Sequence, residues 1–269
     1  FDGAELNFRD KLLASLGRQL RHLQRVAPFA GAGPARISAL KGWAMAAVLL
    51  PGDQRGLDAA MTALTRELIR QVNPDGGHMD RSPSRHLAVL RDLLEIRMAF
   101  RVAGQEPPVA LQATIDRMTP FLRMMRHGDG GLGLFNGAHE DSGSAIDAVI
   151  AEADVRGRVP PSAPHSGFER LQAGKLLALV DSGGQSPLEG GGGSHAGCLA
   201  LEISDGRERM VVNCGGAPAG QGEWGSSLRA TAAHSTVCVE GTNSSSLLPD
   251  GGLGSRRARA AIERQETDG

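Results

Sequence analysis

A chain of 269 residues, 41% of them hydrophobic and with a formal net charge of −1, has length enough for two cores and lacks the basic excess of a general nucleic-acid binder. Its longest strongly apolar run, Trp43 to Leu50, is far too short to cross a bilayer. Lysine occurs only at Lys11, Lys41 and Lys175, so arginine carries nearly all the positive charge. Planar guanidinium groups grip carboxylates and sulfates bidentately, which suits an acidic substrate, and a GC-rich coding sequence gives the same bias.

In chain order, the first half reads as helices. From Leu6 to Val26, Phe8, Leu12, Leu13, Leu16, Leu20 and Leu23 recur at helical spacing, and Gly31 to Pro34 breaks the pattern. Further helices are expected over Ala35 to Leu50, Leu57 to Val72 and Ser84 to Val102. A fifth follows Pro107 and Pro108 and runs to about Met125. The character changes near His127. Gly-rich turns then separate runs expected as strands: Leu132–Phe135, Phe168–Leu171, Lys175–Asp181, Cys198–Ile203, Arg209–Asn213 and Thr236–Glu240. Ser182 to Ser194, with its run of glycines, reads as a surface loop. Helices first and strands second define an α+β chain, with a helical part over 1–126 and a β part over 127–269.

The run Asp75-Gly76-Gly77-His78-Met79-Asp80-Arg81-Ser82-Pro83 puts a histidine, an acid and an arginine on one interhelical turn. That is how a site is built, and equally how a solvated turn with an N-cap at Ser82 is built. Cys198, Cys214 and Cys238 have no CxxC spacing, which excludes a zinc ribbon, and they read as small buried residues. The opening at Phe1, with no methionine or signal-like segment, reads as a piece of something longer.

Four motifs in this order resemble the heparinase II/III family of bacterial polysaccharide lyases. They are Pro74–His78 with Arg81 and Pro83, His127-Gly128-Asp129-Gly130, Ser194-His195-Ala196-Gly197-Cys198, and Arg229 through Ala233-His234-Ser235-Thr236. The resemblance implies an incomplete α/α toroid of antiparallel helix hairpins followed by an antiparallel β-sandwich, with toroid helices and sandwich strands missing at the two ends. On that frame an edge at Thr236–Glu240 is expected unpaired and prone to aggregation.

The resemblance also implies β-elimination on a uronate-containing glycan, such as a glycosaminoglycan. A carboxylate must be neutralised, a neighbouring proton removed and a departing oxygen protonated. His78, Arg81 and His234 are the catalytic candidates it implies, with Arg85, His86 and Arg229 as substrate-binding candidates. Three of them have a plain alternative: His78 as a turn histidine, Arg81 as an ion-pair partner of Asp80 or Asp75, His86 as a packed helix histidine. The family's divalent metal site (zinc or calcium) falls on His195, Asn213 and His234, where Asn213 replaces a carboxylate and weakens the ligand set. The chain has no tyrosine, which such lyases commonly use as acid or base, and Arg85 stands at that position. A non-catalytic protein that binds acidic polysaccharide on the same frame is therefore the alternative, and a metal-dependent hydrolase using His195 and His234 is a third. The family implies the periplasm or cell envelope, with the cytoplasm open, and the sequence leaves the oligomeric state open.

Overall fold

The computed structural model describes residues 6–50, 52, 54–184, 194–217, 222–249 and 252–265. The five expected helices form as α1 (Leu6–Val26), α2 (Pro34–Leu49), α3 (Gln54–Gln71), α4 (Pro83–Val102) and α5 (Val109–Met124). Two more follow, α6 (Gly143–Ala153) and the short α7 (Gly222–Ser227). α6 buries Ile146, Val149 and Ala153 and ends on Asp154 in a left-handed conformation. Its helical spacing lies inside the part of the chain expected to be all strand. No helix among the described residues is long and apolar enough to cross a membrane.

Five strands, β1 (Ser162–Ala163), β2 (Phe168–Ala173), β3 (Leu176–Asp181), β4 (Leu201–Asp205) and β5 (Glu208–Val211), pair in sequence order as an antiparallel meander. β6 (Ser245–Leu247) and β7 (Leu253–Arg256) form a second antiparallel ladder. The chain is α+β, as its pattern indicates.

Two expected strands do not form. Leu132–Phe135 contributes only a bridge between Leu132 and Arg126, because its amides are taken elsewhere: Gly133 donates to Met125 and Leu134 to the Glu202 carboxylate. Thr236–Glu240 turns on itself through a bridge from Val239 to Thr242, and the Thr236 hydroxyl donates to Cys198. The loop expected over Ser182–Ser194 falls largely on residues outside those described. None of the three cysteines is buried: Cys214 is exposed, Cys198 and Cys238 partly so.

Packing divides the chain into two compact units, Phe1–Gln71 with Val89–Ile115, and Val72–Ala88 with Asp116–Gly269. In the first, Ile37, Leu40, Leu64, Leu90, Leu93 and Leu111 form a dry core, and Lys41 reaches Asp92 and Glu95 at 2.6 and 2.8 Å. In the second, Phe168 sits edge-on to both Phe121 and Phe135, with centroids 6.0 and 5.5 Å away. Every candidate site residue lies in this second unit.

Candidate functional site

The turn before α4 is held by its own chemistry. Val72 and His78 form an antiparallel bridge, and Asn73 and Gly77 close the loop with a 2.9 Å bond. Gly76 has φ +86°, and a Cβ there would stand 1.9 Å from the Arg117 carbonyl oxygen, so only glycine fits. Asp75 accepts from the Ser166 amide and hydroxyl at 2.7 and 2.6 Å, fastening the turn to the segment entering β2.

His78 is buried at 1% exposure, and its Nδ1 accepts from the Asp80 amide at 3.2 Å, which places the proton on Nε2. Burial, then the charge of Arg85, pushes its pKa down to about 3. Arg81 takes a left-handed φ of +58°, and its guanidinium is absorbed by the fold. It donates to the carbonyls of Ser166, Gly167 and Gly184, pairs with buried Asp181, and lies over the Phe168 ring. The ion pair of Arg81 is with Asp181 rather than Asp80 or Asp75. Asp80 instead receives Arg85 at 3.0 Å. His86 donates from Nε2 to the Met118 carbonyl at 3.0 Å and packs on Phe121, with its pKa lowered to about 3 by burial and then by His78.

A second group of candidates converges. Arg229 donates to the Ser194 carbonyl, and the Thr231 hydroxyl donates to the Ala196 carbonyl at 2.6 Å. These bonds hold the His195 segment against the one carrying His234, and bring His195 Nδ1 within 3.2 Å of His234 Nε2. The tautomer of His234 follows from Asn213. Its Oδ1 accepts from the Ser235 amide, while the Ser235 hydroxyl gives its proton to the Leu201 carbonyl, so the nitrogen facing Oδ1, His234 Nδ1 at 3.2 Å, is the one that carries hydrogen. His234 Nε2 therefore presents a lone pair to His195. Asn213 bonds the far nitrogen of His234, so it does not share an ion with Nε2. Burial lowers the pKa of both histidines, that of His195 to about 3 with the charges of His234, Arg229 and Arg85 adding to it. Neutral imidazoles are the form that binds metal.

Asn213 is matched to a residue the sequence reading passed over. Its Nδ2 donates to Glu202 at 3.3 Å, and Glu202, fully buried on β4, also accepts from Leu134, from the Asn213 amide and from His127 Nε2 at 2.9 Å. A carboxylate at 213 would face a buried carboxylate instead of donating to it. Asparagine is what this neighbour requires. At the other end, Asn136 bridges Asp181 at 2.9 Å and the His195 amide at 3.4 Å, so a continuous polar chain runs from Arg81 through Asp181, Asn136, His195, His234, Asn213 and Glu202 to His127. Glu202 and Asp181 had a signal in the sequence: each is an acid at an inward position of an alternating strand. Asn136 had none beyond its place beside glycine.

Beside this chain a cavity of about 570 Å³ is lined by Arg81, His165, Arg256 and Arg264 against Glu169. A void of about 10 Å³, the size of one water, lies between Arg81, Asp181, His195 and Ser245.

The fold, helices followed by an antiparallel meander, is of the heparinase type. Residues 155–269 match the family Heparinase II/III-like, C-terminal. It is 34% identical over 233 residues to FtsZ-localized protein C of Caulobacter vibrioides (strain NA1000 / CB15N), a match covering 85% of this chain and 39% of that protein. The chain thus spans about two fifths of the length of the curated relative it matches. Among solved structures, heparinase III superposes with a TM-score of 0.70 at 12% identity, covering 89% of this chain and 44% of that one. The heparan sulfate lyase HepC from Pedobacter heparinus superposes at 0.64 and 16% identity, covering 88% and 41%. These likenesses show a shared fold.

Proposed function

We propose that this chain is the acidic-glycan-binding frame of a heparinase II/III-like protein and does not itself carry out β-elimination. The observation behind this reading is the internal commitment of the lyase candidates. His78 is buried, capped by the Asp80 amide and neutral down to about pH 3, too weak a base for proton abstraction near neutrality. Arg81 spends its guanidinium on three carbonyls and Asp181. His234 is wedged between Asn213 and His195. Arg85 occupies the place where the family carries a tyrosine acid. Beside them the cavity is lined by Arg256, which donates to the Ala258 carbonyl at 2.7 Å, and by Arg264, paired with Glu169 at 3.2 Å, and guanidinium groups of this kind suit carboxylate or sulfate groups.

The lyase reading stands second, favoured by the histidine pair and by the shared fold with heparan sulfate lyases. A divalent ion between His195 and His234 belongs to either reading. Two nitrogens bound at about 2.0–2.1 Å to one tetrahedral ion stand roughly 3.3–3.4 Å apart, and these two are 3.2 Å apart, so they fit. Such an ion would tether the two segments and hold both rings in place. The relative's name puts that protein at FtsZ. We extend a cytoplasmic location to this chain on that ground, in preference to the periplasm or cell envelope.

The test is retention on immobilised heparin as salt is raised. Wild type is expected to elute at a salt-dependent position, and an Arg256→Gln, Arg264→Gln double variant to elute clearly earlier. Elution of wild type with the unbound fraction at low salt would remove the binding reading.

A further inference from the structure

We propose that Glu169 and the extended segment 257–265 make the arginine-lined cavity a self-latched site, in which an acidic ligand binds by taking the place of the Glu169 carboxylate on Arg264. The inference rests on the reading that the cavity holds such ligands, and concerns what controls it. Along this segment Ala260, Ile262 and Arg264 line the cavity, and Ala261 and Glu263 between them do not. Side chains two apart on one side mark an extended chain laid along the cavity wall. The segment belongs to neither ladder and is tied near its two ends. At its start the Arg257 and Ala258 amides donate to the Ser244 carbonyl at 2.8 and 3.0 Å. At its end Arg264 reaches Glu169 at 3.2 Å.

The latch is built to exchange. Arg264 Nη1 has two hydrogens and faces three acceptors, the Glu169 carboxylate and the Pro161 and Arg170 carbonyls, at 3.2, 3.1 and 3.3 Å. A committed guanidinium–carboxylate bond is shorter, about 2.7–2.9 Å. This one is long, shared and partly open to solvent, so it holds weakly. Arg81 on the same cavity is the contrast, fixed by buried Asp181 and three carbonyls. Glu169 also keeps a partner when Arg264 leaves, because the Ser162 hydroxyl donates to its other oxygen at 2.7 Å. An incoming carboxylate or sulfate offers Arg264 the same chemistry that Glu169 supplies. A ligand with a second anionic group gains Arg256 as well, so the exchange favours multiply charged glycans over singly charged ones.

Calorimetric titration of the chain with a heparin oligosaccharide of fixed length tests this. Glu169→Gln keeps an acceptor for Ser162 and removes the competing charge, and it is expected to bind roughly two- to fivefold more tightly while its urea midpoint falls. Glu263→Gln removes the same charge from an exposed position off the cavity and is expected to gain less. Adding Glu169→Gln to Arg264→Gln is expected to gain nothing. Glu169→Asp, which keeps the charge and draws the carboxylate back, is expected to tighten binding as well, and replaces the Gln variant should that one fail to fold. Affinity of the Glu169 variants at or below that of wild type, or a gain that survives in Arg264→Gln, would overturn the latch and leave the cavity as a binding site. No binding by wild type or by Glu169→Gln would overturn both.

Discussion

Acidification should unfold this protein earlier than its carboxylates alone dictate, because His78 and His86 are buried as neutral rings. Each has a folded pKa of about 3 against an ordinary value of 6.5, lowered mainly by burial. In the unfolded chain both rings take up a proton as the pH drops below about 6.5, while in the folded chain they do not. Their contribution is therefore fully present above pH 6.5 and is lost progressively as pH falls toward 3. Each unprotonated ring costs roughly 1.4 kcal/mol per pH unit in that window. Between pH 6.5 and 5, where most carboxylates remain ionised, the two together remove about 3–4 kcal/mol, a large part of a typical stability of roughly 5–15 kcal/mol. Urea unfolding followed by far-ultraviolet circular dichroism at pH 7.5, 6.5, 5.75 and 5 measures it. His86→Gln, which keeps a donor for the Met118 carbonyl and removes the titration, is expected to remove one ring's share of the slope, about 1.7 kcal/mol over that interval, with His195 and His234, whose pKa values burial also lowers, adding to what remains. A stability flat from pH 7 to 5 would refute the burial argument, since the rings would then be protonated within the fold.

Three further substitutions test the frame. Gly76→Ala places a methyl group against the Arg117 carbonyl in a backbone conformation that favours glycine, and is expected to cost roughly 3 kcal/mol or more, read from the urea midpoint. Asp181→Asn removes the carboxylate from buried Arg81 and should cost about 3–5 kcal/mol, with Asp181→Glu recovering part of it if the ion pair is the cause. Glu202→Gln turns one of the oxygens facing His127, Leu134 and Asn213 into a donor. A loss of about 2–3 kcal/mol is expected, together with a change in the His234 ring nitrogen shifts by NMR as Asn213 loses its anchor.

The helices were legible because their apolar spacing is strong and their ends carry Pro or Gly: α1 to α5 begin and end within a few residues of expectation. β2 and β3 were equally clear from alternation between glycines. α6 was hidden by its setting, a short helical pattern among strand signals, and Leu132–Phe135 misled because its donors serve Glu202 and Met125 rather than a neighbouring strand. At the site, the motifs flagged His195, Asn213 and His234, and the structure brings these together. What single residues could not reveal is pairing. The roles of Arg81 and Asn213 depend on Asp181 and Glu202, which lie 100 and 11 residues away in sequence.

The most direct measurement is the absorbance of unsaturated uronate ends when the chain is incubated with heparan sulfate, heparin, alginate and other uronate polymers. A binding frame yields no such product from any of them at any pH between 5 and 9, while retaining affinity for at least one. Accumulation of unsaturated product that disappears in a folded His234→Ala variant would contradict the account and restore elimination as the activity.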